Sequence, residues 1–510
     1  MSLINSALDV LKRGGKSPYV TKRPPGERRW LSILDEFSHE CFSPEIDLFA
    51  IGQSYPTLDL GYVRPEIFLV ESAWNGNAGH WRYQITSNTG PKQPFRELIE
   101  AARRQGIPTV FWNKEDPVHF EEFKQAAELF DYVLTTDGDL VPYYREMLKN
   151  DNVGLLRFAA QPKIHNPRRV DRYRQGDIAF GGQYFRHKYP ERRDQMKILF
   201  TAAKEHNLSI FSRMLGGDPN YQFPAPFDKK VVGSLPYSEM VDEYKRHKIF
   251  LNVNSVTGSS TMCARRVYEL AACKTVVVSM KSEAIRSVFA EDEVLTVESS
   301  KQARECFQQL LDDPMRRYAT GQRAWRRVAF AHTMSDRVRE ILDFVGKRNP
   351  IPEPTLRLYI TGEGDRSTLL DDMHKQSVIN RMNASITIVD GESEHSLSSD
   401  NSAVTPEFVG TLSPEFRYGQ DYLLDMVLML RKFVPEPVVT KSQWIEPGRP
   451  PEKDECATDE VLNGAWLARA EEIDLPSLLG GQKLGSTPAY LMDAHNLCNA
   501  KISDLFSWEN

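Results

Sequence analysis

A chain of 510 residues is too long for a single hydrophobic core, and at about 150 residues per domain it divides into about three. With 41% hydrophobic and 26% charged residues it holds enough apolar material for packed cores, which excludes global disorder. A formal net charge of −6 gives nucleic acid no overall basic surface, and six scattered cysteines without a CxxC pair exclude a disulfide framework or a structural zinc site.

The N-terminus, MSLINSALDVLKRGG, has no continuous apolar segment, and no run approaches about 18 apolar residues. The expectation is a cytoplasmic chain with reduced thiols and no transmembrane segment. The first third alternates short apolar runs with amphipathic stretches. Strands are expected at 45–52 (EIDLFAIG), 66–72 (EIFLVES), 107–113 (IPTVFWN) and 131–137 (DYVLTTD). Helices are expected at 94–106 and 119–130, the first ended by Gly106-Ile107-Pro108. This alternation predicts a parallel sheet covered by helices, a Rossmann-like domain over residues 1–175.

A second alternating set follows. Strands are expected at 177–185, 208–214, 248–255, 275–280 and 290–298, with helices at 192–207, 238–247, 264–274 and 301–313. These give a second Rossmann-like domain over 176–345. The fold class is therefore α/β with two such domains in tandem, their carboxyl strand ends facing a shared cleft. The run KRNPIPEPTLRL carries three prolines and reads as a linker. Beyond it, strands at 357–362, 384–391 and 405–412 and a helix at 419–434 make a third α/β module, 351–510.

The stretch that carries most chemistry is LNVNSVTGSSTMCARRVYELAACKTVVVS, 251–279. A buried strand delivers a Gly/Ser/Thr-rich turn, and a helix starts just after it. Free backbone N–H groups and the positive helix end suit a diphosphate. Arg265 and Arg266 add guanidinium forks that match phosphate oxygens. Glu269, at i+4 from Arg265, either accepts both hydroxyls of a ribose or simply pairs with Arg265 on the helix surface. The sequence leaves both open. Gly181 and Gly182 permit a tight turn close to a ligand. Arg213 ends the strand LSIFSRM, where a phosphate contact is expected.

In the first domain, VFWNKEDPVHF sets Lys114, Glu115, Asp116 and His119 behind an apolar strand, where chemistry collects in parallel sheets. The plainer reading makes Asp116 a helix cap with Pro117 at the first helical position. Either Trp74 or Trp81, in VESAWNGNAGHW, is placed to stack on a sugar ring or to fill the core. Asp137 ends DYVLTTD at the same edge.

The strand LNVNS followed by SSTMCARRVYELAA resembles the donor-binding signature of two-domain (GT-B) glycosyltransferases, and most closely the CgeB-like family. The likeness extends over roughly residues 30–345, and the family shares the FWNKEDP and TTD patterns. It departs where the family has a glycine after the Ala pair and this chain has Cys273-Lys274. The resemblance implies a glycosyltransferase that moves a sugar from a nucleotide-sugar donor to a hydroxyl acceptor such as a glycan or protein. It implies that Glu269 binds ribose, that Arg265, Arg266 and the Ser260-Thr261 turn serve phosphates and sugar, and that Tyr237 and Asn254 frame the nucleotide. Asp116 or His119, with Glu115, is the expected base if the reaction inverts; no strong base is needed if it retains. No cofactor or metal is expected, because helix ends and arginines stabilise the leaving diphosphate. A homo-oligomer, a non-catalytic sugar-nucleotide-binding protein, a phosphorylase or epimerase on the same plan, and transfer onto modified DNA bases remain open. The last third resembles, in outline, a GT-A glycosyltransferase fold. TLSPEF stands where its metal-binding aspartates belong, so this module is expected to have lost its own chemistry.

Overall fold

The structure, a computed structural model, describes residues 28–53, 60–61, 63–87, 89–348, 350–391, 393–397, 405–441, 456–458, 465–472, 489–492 and 497–499. The N-terminal segment read for a leader lies outside them.

The first sheet comprises β1 (Arg29–Ile33), β2 (Asp47–Ala50), β3 (Ile67–Glu71), β4 (Thr109–Asn113), β5 (Tyr132–Thr135) and β6 (Val153–Leu155). Its order is β2-β1-β3-β4-β5-β6, and every neighbouring pair is parallel. β3 and β4 are buried at every position, as parallel strands covered on both faces must be. The helix Gln93–Arg104 stops before Gly106, which takes a left-handed φ of +70°. Pro94 lies in the first turn of that helix, where its missing N–H costs nothing.

The second sheet holds β7 (Gly176–Gly182), β8 (Leu208–Ser212), β9 (Val231–Gly233), β10 (His247–Asn252), β11 (Val276–Met280) and β12 (Leu295–Val297), in the order β12-β11-β10-β7-β8-β9. It is parallel throughout. Two Rossmann-like parallel sheets with their carboxyl ends facing one another are thus the architecture of residues 29–297. The chain then crosses back. The helix Met334–Phe344 lays Met334, Val338, Ile341 and Leu342 into the core beneath the first sheet, beside Trp30, Leu48 and Trp112. An isolated bridge between Ala160 and Thr333 holds the crossing strands together.

The third sheet is built from β13 (Thr355–Ile360), β14 (Ser385–Asp390), β15 (Ser393–Ser396), β16 (Phe408–Leu412), β18 (Val438–Lys441), β19 (Cys456–Thr458), β20 (Ala465–Arg469) and β21 (Ala489–Met492). Its order is β15-β14-β13-β16-β20-β18-β21-β19, mixed in direction. A short strand, β17 (Phe416–Tyr418), pairs apart from it with β22 (Leu497–Asn499). The proline run does not set this module apart. One continuous core joins Phe250, Val277 and Trp325 of the second sheet's layer to Leu356, Tyr422 and Leu467 of the third. The helix Tyr422–Leu428 is buried at all seven positions against the helix Pro314–Ala331. Across that contact Arg326 donates from Nε to Asp425 at 2.6 Å and from Nη2 at 2.9 Å, and pairs with Asp421 at 2.8 Å. A second tie runs from Arg168 Nη2 to both carboxylate oxygens of Glu436, at 2.7 and 2.9 Å.

No helix among the described residues is long and apolar enough to cross a membrane.

Candidate functional site

Four elements converge where the carboxyl ends of the first two sheets meet. The helix Arg265–Ala272 begins directly after the loop that leaves β10, with no side chain capping its first turn. Glu269, on its inner face, is fully buried. Its Oε1 lies 3.1 Å from Arg265 Nη1, and its Oε2 accepts from the Tyr244 hydroxyl at 3.1 Å. Burial pushes this carboxyl up, but the opposing charges, Arg265 foremost, hold it below the usual carboxylate range. The helix-surface pair left open by the spacing is therefore present, although deep in the protein rather than at its surface.

Arg265 is itself sandwiched. Its guanidinium sits 3.5 Å from the centroid of the Phe37 ring, contributed by the first domain, and 5.0 Å from that of Tyr237. Tyr237 opens the helix Tyr237–Arg246, and its hydroxyl lies 2.6 Å from His165 Nε2. Burial holds His165 down to about 4, so its ring is neutral at pH 7. Its Nδ1 accepts from Gln161 N at 3.0 Å, so Nε2 carries the proton and donates it to Tyr237. That leaves the Tyr237 proton free to stabilise the Glu269 carboxylate.

Beside this group stand two guanidiniums of like charge. Arg192, in the first turn of the helix Pro190–Ala203, donates to Ser255 Oγ at 2.9 Å and to Val253 O at 3.3 Å. Burial and then the repulsion of Arg266 hold it down to about 10. The Nε atoms of both Arg192 and Arg266 are buried without a hydrogen-bond partner. Two like charges side by side, each with a buried donor left over, favour an anion with several acceptor oxygens between them. Arg192 was not singled out from the sequence. The available signal was its place in the first turn of the helix after the Gly-Gly strand end.

Several expected ligand residues are otherwise engaged. Ser260 donates from N and Oγ to Asp139 at 2.8 and 2.6 Å. Thr261 Oγ1 accepts from Gly138 N at 2.6 Å, and Ser259 Oγ donates to Asp137 Oδ1 at 2.7 Å. The Ser/Thr turn thus clasps the first domain, its side chains engaged by Asp137, Gly138 and Asp139. Asn254 is buried in the sheet end, its Nδ2 on Met280 O at 3.2 Å and its N on Gln195 Oε1 at 2.7 Å. Gly181 and Gly182 form no turn: they are the last residues of β7, with extended backbone. A Cβ at Gly181 would meet Met240 Sδ at 2.9 Å, so close helix packing explains the residue. Arg213 is exposed at the end of β8, its N bonded to Gly182 O at 2.9 Å.

On the first domain, Asp116 is neither exposed nor a cap. It is fully buried and accepts from Asn113 Nδ2 at 2.7 Å, Thr135 Oγ1 at 2.6 Å and the Tyr144 hydroxyl at 3.0 Å. The next helix, Phe120–Ala127, starts three residues beyond Pro117 with no side-chain cap. Lys114 bonds Glu71 Oε1 at 2.9 Å and Asp35 Oδ2 at 3.3 Å. Glu115 and His119 keep part of their surface in the cleft, and His119 Nδ1 lies 3.1 Å from Glu122 Oε1. The charges of Glu115 and Glu122 reach Tyr189 on the second domain, so this segment faces that domain across the gap. Trp74 is partly exposed, whereas Trp81 is fully buried with its Nε1 donating to Ile51 O at 2.8 Å. No group of His, Cys, Asp and Glu suited to a metal ion occurs among the described residues.

Residues 192–343 match a family model described as Glycosyl transferase-like, so the chain carries a glycosyl transferase-like domain there. No curated protein matches the sequence. Among solved structures, HepE of Anabaena in complex with UDP-glucose is similar at 12% identity and a TM-score of 0.42, over 63% of this chain and 100% of that one. Sucrose-phosphate synthase of Thermosynechococcus elongatus is similar at 12% identity and a TM-score of 0.39, over 64% of this chain and 88% of that one. A glycosyltransferase of Rickettsia africae is similar at 11% identity and a TM-score of 0.40, over 62% of this chain and 97% of that one.

Proposed function

We propose that the chain transfers a sugar from a nucleotide-diphosphate donor to a hydroxyl acceptor. The observation that carries this reading is the pair Arg192 and Arg266, two half-buried arginines whose Nε atoms are buried without a hydrogen-bond partner, beside an uncapped helix start. Such a site is short of negative charge, and a diphosphate supplies it with oxygen acceptors for both forks. In this reading residues 176–345 hold the donor, residues 1–175 face the acceptor, and residues 351–510 are a third module. Glu269 takes the ribose hydroxyls once Arg265 swings aside, because Arg265 occupies Oε1 at 3.1 Å. The cations of the chain stabilise the departing diphosphate. Tyr237 stays beside the nucleotide, and Glu115 and His119 are the groups left to meet an acceptor hydroxyl, Asp116 being enclosed.

The finer family reading, CgeB-like, rests on LNVNS and SSTMCARRVYELAA. A degenerate GT-A origin for the third module is supported by its strand order, in which parallel β14-β13-β16 are followed by antiparallel β20 and then β18.

The test is calorimetry with UDP-, GDP-, ADP- and dTDP-sugars, the matching diphosphates and the bare nucleosides. Arg192→Gln and Arg266→Gln should each weaken the diphosphate ligands about ten- to a hundredfold and spare the nucleoside. Glu269→Gln should weaken nucleoside and nucleotide alike. A protein that binds none of these ligands, or variants that bind them all unchanged, would falsify the reading.

A further inference from the structure

Beyond the donor, the cleft carries a feature that speaks to the acceptor. The loop between β3 and the helix Gln93–Arg104 holds Asn77, Ala78 and Tyr83 at left-handed φ of 47°, 55° and 54°, with Gly76 and Gly79 at 50° and 92°. Non-glycine residues resist that conformation, and it persists only where surrounding structure enforces it. The enforcement is visible. Asn77 is fully buried and donates from Nδ2 to Ser32 O and Ile51 O, both at 2.8 Å, while its Oδ1 accepts from Leu34 N at 3.0 Å. Trp81 anchors the far side through Ile51 O.

This rigid loop presents two aromatic residues. Tyr83 N donates to Trp74 O at 3.3 Å, so the two residues are neighbours. Tyr83 is 55% exposed; the Arg82 guanidinium lies over its ring, 5.2 Å from the centroid, which leaves the opposite face for a ligand. Trp74 is partly exposed and meets His119 and Phe123 edge to face, at 5.2 and 5.1 Å between centroids. His119 is paired with Glu122, whose charge, with that of Glu115, reaches Tyr189 across the cleft.

We infer that Trp74 and Tyr83 form a shelf for the acceptor and that this acceptor is a carbohydrate, its pyranose ring lying on the aromatic surface. The inference rests on the glycosyltransferase reading. A pyranose has a face of C–H bonds and a rim of hydroxyls. The shelf supplies an aromatic surface for the face, and His119 with Glu122 supplies a donor and an acceptor for the rim.

The experiment is saturation-transfer NMR on the full chain with methyl glucoside, galactoside, mannoside and N-acetylglucosaminide. A capped Gly-Ser-Gly peptide and thymidine are run beside them. At least one pyranoside should receive saturation through its ring C–H protons. Its affinity should fall about tenfold in Tyr83→Ala, a change at an exposed side chain that leaves folding intact. Trp74→Ala should do the same and Trp74→Phe should restore part of it. Tyr143→Ala, an exposed aromatic elsewhere on the same domain, should change nothing. Saturation of the peptide or thymidine in place of every pyranoside would overturn the inference. So would pyranoside binding that is equal in the parent and in Tyr83→Ala. The probes contain no nucleotide. A chain that binds pyranosides at the shelf but no sugar nucleotide would therefore sink the transferase reading alone.

Discussion

Asp116 stands where the sequence suggests a base or a helix cap; it caps no helix, and three donors enclose its carboxyl. Three donors and complete burial mark it as a polar keystone between β4, β5 and the helix Val141–Leu148. Burial raises its carboxyl from 3.8 to about 7, against the pull of Thr135 and Tyr144. The folded state thus holds this proton more tightly than the unfolded chain does. The resulting stability is fully present below about pH 4, falls as pH rises towards 7 and is gone above it. Asp116→Asn removes the ionisation. The melting temperature of the variant relative to the parent should therefore climb between pH 5 and 7 and level off by pH 8. Turnover per folded molecule should stay unchanged; a pH-independent difference would show that Asp116 is ionised throughout. The sequence marked this residue for attention because a charge behind an apolar strand is rare. What it did not reveal was Tyr144, 28 residues later, which closes over the carboxylate. Arg192 escaped for the converse reason: its lowered basicity comes from burial and from the charge of Arg266, 74 positions away in the chain, and no local pattern reports that.

Most of the elements were legible, because long parallel strands and amphipathic helices have distinct periods. β1 was not: RWLSI is five residues between charged flanks, yet it takes an inner place in the first sheet. The helix Pro314–Ala331 was hidden by its arginines, one of which, Arg326, turns out to be buried. The departure at Lys274 has a local answer. Lys274 adopts φ +54° just past the helix Arg265–Ala272, so the turn a glycine would make is made by a lysine. Its ammonium sits 5.0 Å from the Trp325 ring centroid. The partner of the Ser/Thr turn is not visible in the sequence, since hydrogen bonds between loops 121–123 residues apart leave no local trace. These bonds hold the two domains together, each contributing on the order of 1 kcal/mol. Asp139→Ala frees Ser260 and should shift the domains towards a more open pair. Small-angle scattering should then show a larger radius of gyration without nucleotide and a return to the parent value with it. An unchanged radius in both conditions would mean that the clasp does not set the closure.

At the scale of the molecule, the prolines at 350, 352 and 354 suggested a severable appendage, and the packing denies it. A chain cut at Pro350 loses the helix Tyr422–Leu428, exposes its apolar seat on the helix Pro314–Ala331, and strands Arg326 without Asp421 and Asp425. Uncovering a buried ion partner costs about 3–5 kcal/mol, before the apolar loss is counted. The fragment 1–350 should melt well below the intact chain and aggregate on warming. A fragment as stable as the parent would show that the shared core contributes little. The same shared core orders events during synthesis. The ribosome delivers the second sheet and its covering helices before residues 422–433 exist. The layer that Trp325 and Phe433 complete, with ring centroids 5.3 Å apart, stays open until about a hundred further residues have emerged. The nascent chain carries an uncovered apolar face through that interval, so its yield in a cell depends on chaperones and on elongation speed as well as on the stability of the finished fold.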